Sequence, residues 1–382
     1  MPLVISPTKD PNEEIEKIFK KLFWNFDKIW ITPLTPGYSG AGVYIVTPDL
    51  GPALARPVVA KIGLKEKIQE EEKNYNKYVK WLSGMRSTIL MASAYSDSLG
   101  GIVYSLIGNL MDGRIISFED YYKENNIDAV EEGVEKLFTE TCKYWYLRID
   151  TELENTLEIY IKDLSLDLFK LRQIYDELFS RFILGNKSIV YKMIATSKKV
   201  SNSSNTFDII NAAEWVSTYS LRTPLATRYC ITHGDFNKNN IVFDNRGDPW
   251  LIDFMFTGKS CALRDFIRLE TTIKFELLNS NINELSYFNF DNALINDMSN
   301  QSTNFSTNPA ELEELEKAFR AIKKIRALAA DRVPADGINY DIGLLIQTIK
   351  FLSWNKCNNK NFILISAGLL CVKLDNSGLF RG

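Results

Sequence analysis

Apolar and polar positions change period several times within the first hundred residues. Residues 14–26 carry apolar positions at helical spacing, and the following segment ITPLTPGYSGAGVYIVTP reads as strand, glycine-rich turn, strand. A Pro- and Gly-rich loop then leads into the apolar run PVVAKIG, so the pattern predicts a three-stranded antiparallel meander. In EKIQEEEKNYNKYVKWL, the positions Ile68, Tyr75, Tyr78, Val79 and Leu82 recur at helical spacing, with Glu71 or Glu72 on the same stripe. Two further short strands are predicted in TILMASAY and GGIVYSLI.

From about residue 117 the helical period dominates, with amphipathic stretches over residues 129–148 and 164–182. The Ser/Asn-rich residues 200–206 read as a loop, and residues 228–252 return to short apolar runs around polar turns. A second Asn/Ser stretch, 296–308, ends in a helix-start signal: Asn308 as cap, Pro309 in the first turn and Glu311 at the capping-box position. That helix is predicted to run to about residue 332, and two apolar helices, over 338–354 and 362–374, follow. No internal repeat is visible.

Length and composition narrow the class. At ~150 residues per domain, a chain of 382 residues suggests about two domains or one two-lobed unit. With 45% hydrophobic and 24% charged residues, disordered, collagen-like and coiled-coil classes are disfavoured. Lys and Arg total 45 against 48 Asp and Glu, a balance that argues against general nucleic-acid or membrane-surface binding. Apolar runs such as FILISAGLLCV fall short of the ~18 to 20 residues that cross a bilayer, and MPLVISPTKDPNEE lacks a signal-peptide core. The expected location is cytoplasmic. Five cysteines, Cys142, Cys230, Cys261, Cys357 and Cys371, are scattered without CxxC spacing and are expected as buried free thiols.

The chemistry concentrates in ITHGDFNKNNIVFDNRGDPWLIDF. Two short strands joined through Asn245, Arg246, Gly247 and Asp248 would hold Asp235, Asn240 and Asp253 around one cavity. Such a set suits phosphoryl transfer: one carboxylate orients a hydroxyl and accepts its proton, while an amide and a second carboxylate hold Mg2+ on nucleotide phosphates. A second constellation is GYSGAG, where Gly37, Gly40 and Gly42 let the backbone bend over phosphates and Ser39 adds a hydroxyl donor. Lys61 ends the apolar VVAK and needs an anion there. Any of Glu70, Glu71 and Glu72 could supply it; Glu71 is preferred because it shares the apolar stripe with Tyr75. His233 is the one histidine in the chain, which excludes histidine triads and multi-histidine metal sites.

In HGDFNKNN followed by IDF, the chain resembles the aminoglycoside phosphotransferase and choline kinase superfamily, whose HGDxxxxN and ID[FW] motifs these match in spacing. The resemblance implies an α+β, bilobal protein-kinase-like fold, with a small β-rich N-lobe over residues 1–108 and a large helical C-lobe over residues 109–382. It implies ATP and Mg2+ as cofactors, with Asp235 as catalytic base, Asn240 and Asp253 as metal ligands, and Lys61 on the α- and β-phosphates. Backbone groups from Ser105 to Ile107 would meet the adenine, and His233 would pack beneath the metal-binding strand. Met255 stands where protein kinases have glycine, and Asp265 would fix the loop around Asp253 or cap the next helix. The runs LIDFMFTG and LRDFIRLE also resemble a bacterial branch of kinase-like domains of conflict or signalling systems. The acceptor stays open between a small molecule and a protein. Two rival readings are a nucleotide-binding pseudokinase that regulates a partner protein and a helical interaction scaffold.

Overall fold

A computed structural model describes residues 2–6, 12–33, 41–51, 53–82, 88–105, 115–185, 190–193, 206–296, 305–334, 337–353 and 359–381. It has the α+β composition expected, strand-rich in its N-terminal part and helical in its C-terminal part. The chain divides into two compact units. One comprises Met1–Asn125, Glu135–Leu147 and Ile231–Lys259; the other comprises Asn126–Val134, Arg148–Cys230 and Ser260–Gly382. Residue 108, the expected lobe boundary, lies outside the described residues.

The first unit is built on a seven-stranded sheet. Its elements are β1 (Leu3–Ile5), α1 (Glu13–Leu22), β2 (Lys28–Pro33), β3 (Gly42–Leu50), β4 (Ala53–Leu54), β5 (Val58–Leu64), α2 (Lys65–Asn74), β6 (Leu90–Tyr95) and β7 (Leu99–Ser105). The strand order is β1-β2-β3-β5-β7-β6, with β4 paired to β3. The predicted meander is β2-β3-β5, antiparallel throughout. The three-residue β1, too short to show a period, adds parallel to β2.

Helix α1 begins where Asn12 accepts a hydrogen bond from the Ile15 N–H at 2.8 Å, with Glu13, Glu14 and Glu16 in its first turn and Lys20 and Lys21 in its last. It ends four residues before the expected position 26, because the chain closes a turn from the Phe26 N–H to the Phe23 carbonyl. Ile18, Phe19 and Leu22 bury against Ala60, Ile62 and Val103, one face of the sheet. Because side chains alternate along a strand, Lys61 points to the opposite face. Two adjacent glycines of β7 admit a helix on each side. A Cβ at Gly101 would lie 2.5 Å from Ile18 of α1, and one at Gly100 would lie 2.9 Å from Ile68 of α2.

The remaining segments of this unit supply a three-stranded sheet in which the strand Ile241–Phe243 pairs with Pro249–Leu251 and with Ile116–Ser117. Asp244 shapes the predicted hairpin turn, its carboxylate accepting from the Arg246 and Asp248 N–H groups at 2.9 and 3.1 Å. Phe243 stacks on Tyr121 with ring centroids 3.8 Å apart.

Helices dominate the second unit. The helix Pro309–Arg332 starts as expected, with Asn308 accepting from the Ala310 and Glu311 N–H groups, but Glu311 does not complete a capping box. Its carboxylate instead accepts from the Asn283 N–H and from Ser286 and Ser306, joining two helix starts. The expected helix over 129–148 is shorter, running from Ile127 to Lys136 and then widening into a π-turn at Leu137–Thr141, a stretch that passes from this unit into the first at residue 135. Beyond it Asp150–Glu154 forms a strand antiparallel to Leu225–Thr232, which the helical pattern had not indicated. Asp265 lies in the first turn of the helix Arg264–Thr272 and is not its cap, since that position is Leu263. The four described cysteines are buried and stand outside any disulfide; Cys357 lies outside the described residues. Among the described residues no helix is long and apolar enough to cross a membrane.

Candidate active site

Lys61 leaves β5 on the face covered by α2. There its Nζ lies 2.8 Å from Glu71 Oε2 and 2.9 Å from Asp253 Oδ1. Glu71 is 1% exposed, and its other oxygen accepts from the Tyr104 hydroxyl at 2.8 Å. Its neighbours face elsewhere. Glu70 pairs with Lys73 on the surface, and Glu72 accepts from Ser93 and Tyr95. Burial alone would depress the Lys61 ammonium, but Glu71 and Asp253 outweigh it and hold lysine above its ordinary range. Burial raises Glu71, against the opposing pull of Lys61.

Asp253 follows the strand Pro249–Leu251 with φ at +66°, a left-handed conformation uncommon for a non-glycine residue. Its side chain is 26% exposed, so it can meet both Lys61 and a ligand from solvent. The next residue, Phe254, is fully buried and sits 5.7 Å from the Tyr75 ring and 5.4 Å from His233. The Met255 carbonyl accepts from the Asn74 side chain at 2.8 Å, which ties α2 to the segment behind Asp253.

The loop from His233 to Asn240 is ordered by its own side chains. Gly234 has φ at +84°, and a Cβ there would fall 2.4 Å from the Phe256 carbonyl oxygen. The Asp235 Oδ2 atom accepts from Asn237 Nδ2 at 2.8 Å and from Asn240 Nδ2 at 3.1 Å. The Asn240 amide also donates to the Asp235 carbonyl at 3.0 Å, which leaves its oxygen as the atom suited to a cation. The Ile252 N–H donates to the Asn240 carbonyl at 3.0 Å, so backbone pairing carries the residue before Asp253 onto Asn240.

His233 is fully buried. Its Nε2 faces the Ile252 carbonyl at 3.1 Å and its Nδ1 accepts from the Asp235 N–H at 3.4 Å, a pairing that assigns the proton to Nε2. Stacked on Phe236 at 5.2 Å, the ring is a brace between loop and strand.

Of the residues singled out in the sequence, Lys61, Glu71 and Asp253 meet directly, and Asp235 and Asn240 meet beside them in chain pairing. Gly42 opens β3, where a Cβ would fall 2.7 Å from the Tyr44 ring. Gly37, Ser39, Gly40 and Ile107 lie outside the described residues. Ser105 ends β7, where its N–H donates to the Ile89 carbonyl at 2.7 Å and its hydroxyl accepts from the Ile89 N–H. Sequence reasoning missed Tyr104, Asn74 and Asn237. Tyr104 becomes legible only once β7 is known to pair with β5, because only then does it share Lys61's face.

Among the described residues no three His, Cys, Asp or Glu side chains come together as a metal cage. One carboxylate and one amide oxygen, on Asp253 and Asn240, still fit Mg2+, which takes few protein ligands and completes its shell with phosphates and water.

A protein-family model described as ternary complex associated domain 9 matches residues 30–170 and 202–353. No curated protein matches. Among solved structures, the chain is similar to a thermostable mutant of aminoglycoside phosphotransferase APH(4)-Ia in apo form, at 11% identity over 91% of this chain and 94% of that one, with a TM-score of 0.42. It is similar to the choline kinase LicA from Streptococcus pneumoniae at 10% identity, 90% and 94% coverage and a TM-score of 0.36. A Plasmodium vivax ethanolamine kinase is similar at 11% identity, 91% and 83% coverage and a TM-score of 0.36.

Proposed function

The chain belongs to the ternary complex associated domain 9 family, and from the site this member carries we propose that it is an ATP- and Mg2+-dependent phosphotransferase that moves the γ-phosphoryl group to a hydroxyl acceptor. The observation that supports this most is the linkage of two clusters within one compact unit. Lys61, Glu71 and Asp253 form an ion-paired row, and the backbone pairing of Ile252 with Asn240 connects that row to Asp235.

In this reading Lys61 supports the α- and β-phosphates, and Glu71, fixed by Tyr104, keeps the ammonium in place. Gly37, Ser39, Gly40 and Gly42 would cover the phosphates, and backbone groups near Ser105 and Ile107, other than the Ser105 N–H already paired with Ile89, would meet the base of the nucleotide. Asn240 and Asp253 would hold Mg2+, which neutralises triphosphate charge when bound. Asp235 orients the acceptor hydroxyl and takes its proton as the oxygen attacks the γ-phosphorus and the bond to the β–γ bridging oxygen breaks, releasing ADP. The Lys61 ammonium is shared between two carboxylates, Glu71 and Asp253, which leaves Asp253 able to serve a further cation. The acceptor is a small molecule or a protein side chain.

The test uses the purified chain with ATP and Mg2+, recording nucleotide affinity by calorimetry and phosphate transfer to water or to acceptors from cell extract. Asp253→Ala is expected to abolish metal-dependent nucleotide binding. Asp235→Asn is expected to keep that binding and lower turnover by ~10² to 10⁴-fold. Binding without any turnover in the wild type would instead indicate a nucleotide sensor that regulates a partner, and absence of Mg2+-dependent binding would remove both readings.

A further inference from the structure

Within the HGDxxxxN pattern the intervening positions carry no assigned role, yet the side chain of one of them makes three hydrogen bonds within the loop. Asn237 is 7% exposed. Its Oδ1 accepts from the Asn239 N–H at 2.8 Å and the Asn240 N–H at 3.2 Å, while its Nδ2 donates to Asp235 Oδ2 at 2.8 Å. The orientation of the amide is fixed by chemistry. Two backbone N–H groups demand the oxygen on one side, so the donor nitrogen must face the carboxylate.

We propose that Asn237 is a positioning residue that sets the carboxylate of Asp235 relative to Asn240, holding Oδ2 by its amide donor and fixing the backbone of residue 240 by its amide oxygen. The inference rests on Asp235 being the base. One side chain thereby couples the group that receives the proton to a group that would hold the metal. Oδ2 accepts from both Asn237 and Asn240, so the plane of the carboxylate is pinned and its direction toward an acceptor is set before the acceptor arrives.

Asn237→Asp separates the two functions of the amide. Aspartate keeps an oxygen for the backbone N–H groups of residues 239 and 240, so the turn survives, but it replaces the donor with a second carboxylate oxygen against Asp235. Two carboxylates at hydrogen-bond distance repel, which turns the Asp235 side chain out of the position that the amide donor sets. Asn237→Ala removes both contacts.

The experiment measures ATP hydrolysis, with water as acceptor, at neutral pH for wild type, Asn237→Asp, Asn237→Ala and Asp235→Asn, with melting temperature and ATP-Mg2+ affinity for each. Asn237→Asp is expected to lower kcat by about 10- to 100-fold while KM for ATP stays within about threefold and the melting temperature changes little. Asn237→Ala is expected to lose similar kcat and also thermal stability, with KM for ATP again within about threefold. Wild-type kcat in Asn237→Asp would overturn the proposal. A joint fall of kcat, affinity and melting temperature in Asn237→Asp would also overturn it, leaving only a loop brace. An Asp235→Asn variant as active as wild type, or a wild type that binds ATP-Mg2+ without hydrolysing it, removes the base assignment and this inference with it. An inactive Asp235→Asn beside an unaltered Asn237→Asp removes this inference alone.

Discussion

Lys61 and Glu71 are both nearly dry, and each is the condition for the other's burial. Removing the ammonium leaves Glu71 with the Tyr104 phenol and no cation, and an unpaired buried charge costs more than the pair contributes. Lys61→Met is therefore expected to lower stability by about 3 kcal/mol in urea denaturation, and by much less when Glu71 is also changed to Gln. Equal losses in the two backgrounds would show that the pair is not energetically coupled. The pairing of these residues was legible in the sequence because VVAK ends an apolar strand and Glu71 shares a helical stripe with Tyr75. Asn237 was not, since an Asn in a polar turn is ordinary until its partners are known.

At the scale of elements, α2 does more than present Glu71. It runs into a π-turn, Tyr75–Val79, and Asn74 at the junction reaches the Met255 carbonyl. The contact uses backbone oxygen, so a methionine in place of glycine at 255 leaves it intact. Asn74→Ala is expected to cost about 1 kcal/mol and to speed amide exchange over residues 254–257, with strand β5 unaffected. Hydrogen-exchange mass spectrometry checks this, and unchanged exchange there would show that the segment is held by Phe254 packing alone. The helix itself was readable from its period. The π-turn was not, because one extra residue per turn hardly disturbs apolar spacing over so short a stretch, and the same limit hid the turn at Leu137–Thr141.

For the whole molecule, the division into strand-rich and helical parts followed from the change of period near residue 117, whereas the segmented make-up of the units depends on pairings far apart in sequence. The helical unit contains a buried ionic network in which Glu270 meets Arg326 at 2.7 Å and Lys274 at 2.9 Å, and Lys274 also meets Asp291 at 2.6 Å. Burial alone would raise the Glu270 carboxyl, but the two cations outweigh it and hold it far below the ordinary glutamate value of 4.5. With the folded value depressed, its contribution to stability is complete above about pH 4.5 and is lost as pH falls from there toward the folded value. Urea midpoints measured from neutral pH into acid are expected to decline below that point for wild type and to decline less steeply for Glu270→Gln. Parallel curves would exclude Glu270 as the acid-sensitive group.

The unit that carries the site is assembled from three stretches of chain, and this has a consequence during synthesis on the ribosome. Tyr75 and Tyr104 are made early, but the Phe254 ring against which both pack arrives only with residues 231–259. The nascent N-terminal sheet must wait, with Lys61 and Glu71 lacking Asp253 and with aromatic surface bare, until the last of its segments has been translated. Chaperone occupancy and protease attack on the growing chain should accordingly be highest while that interval is being made, and a truncated product ending inside it should be cleared by the cell instead of accumulating as a stable lobe.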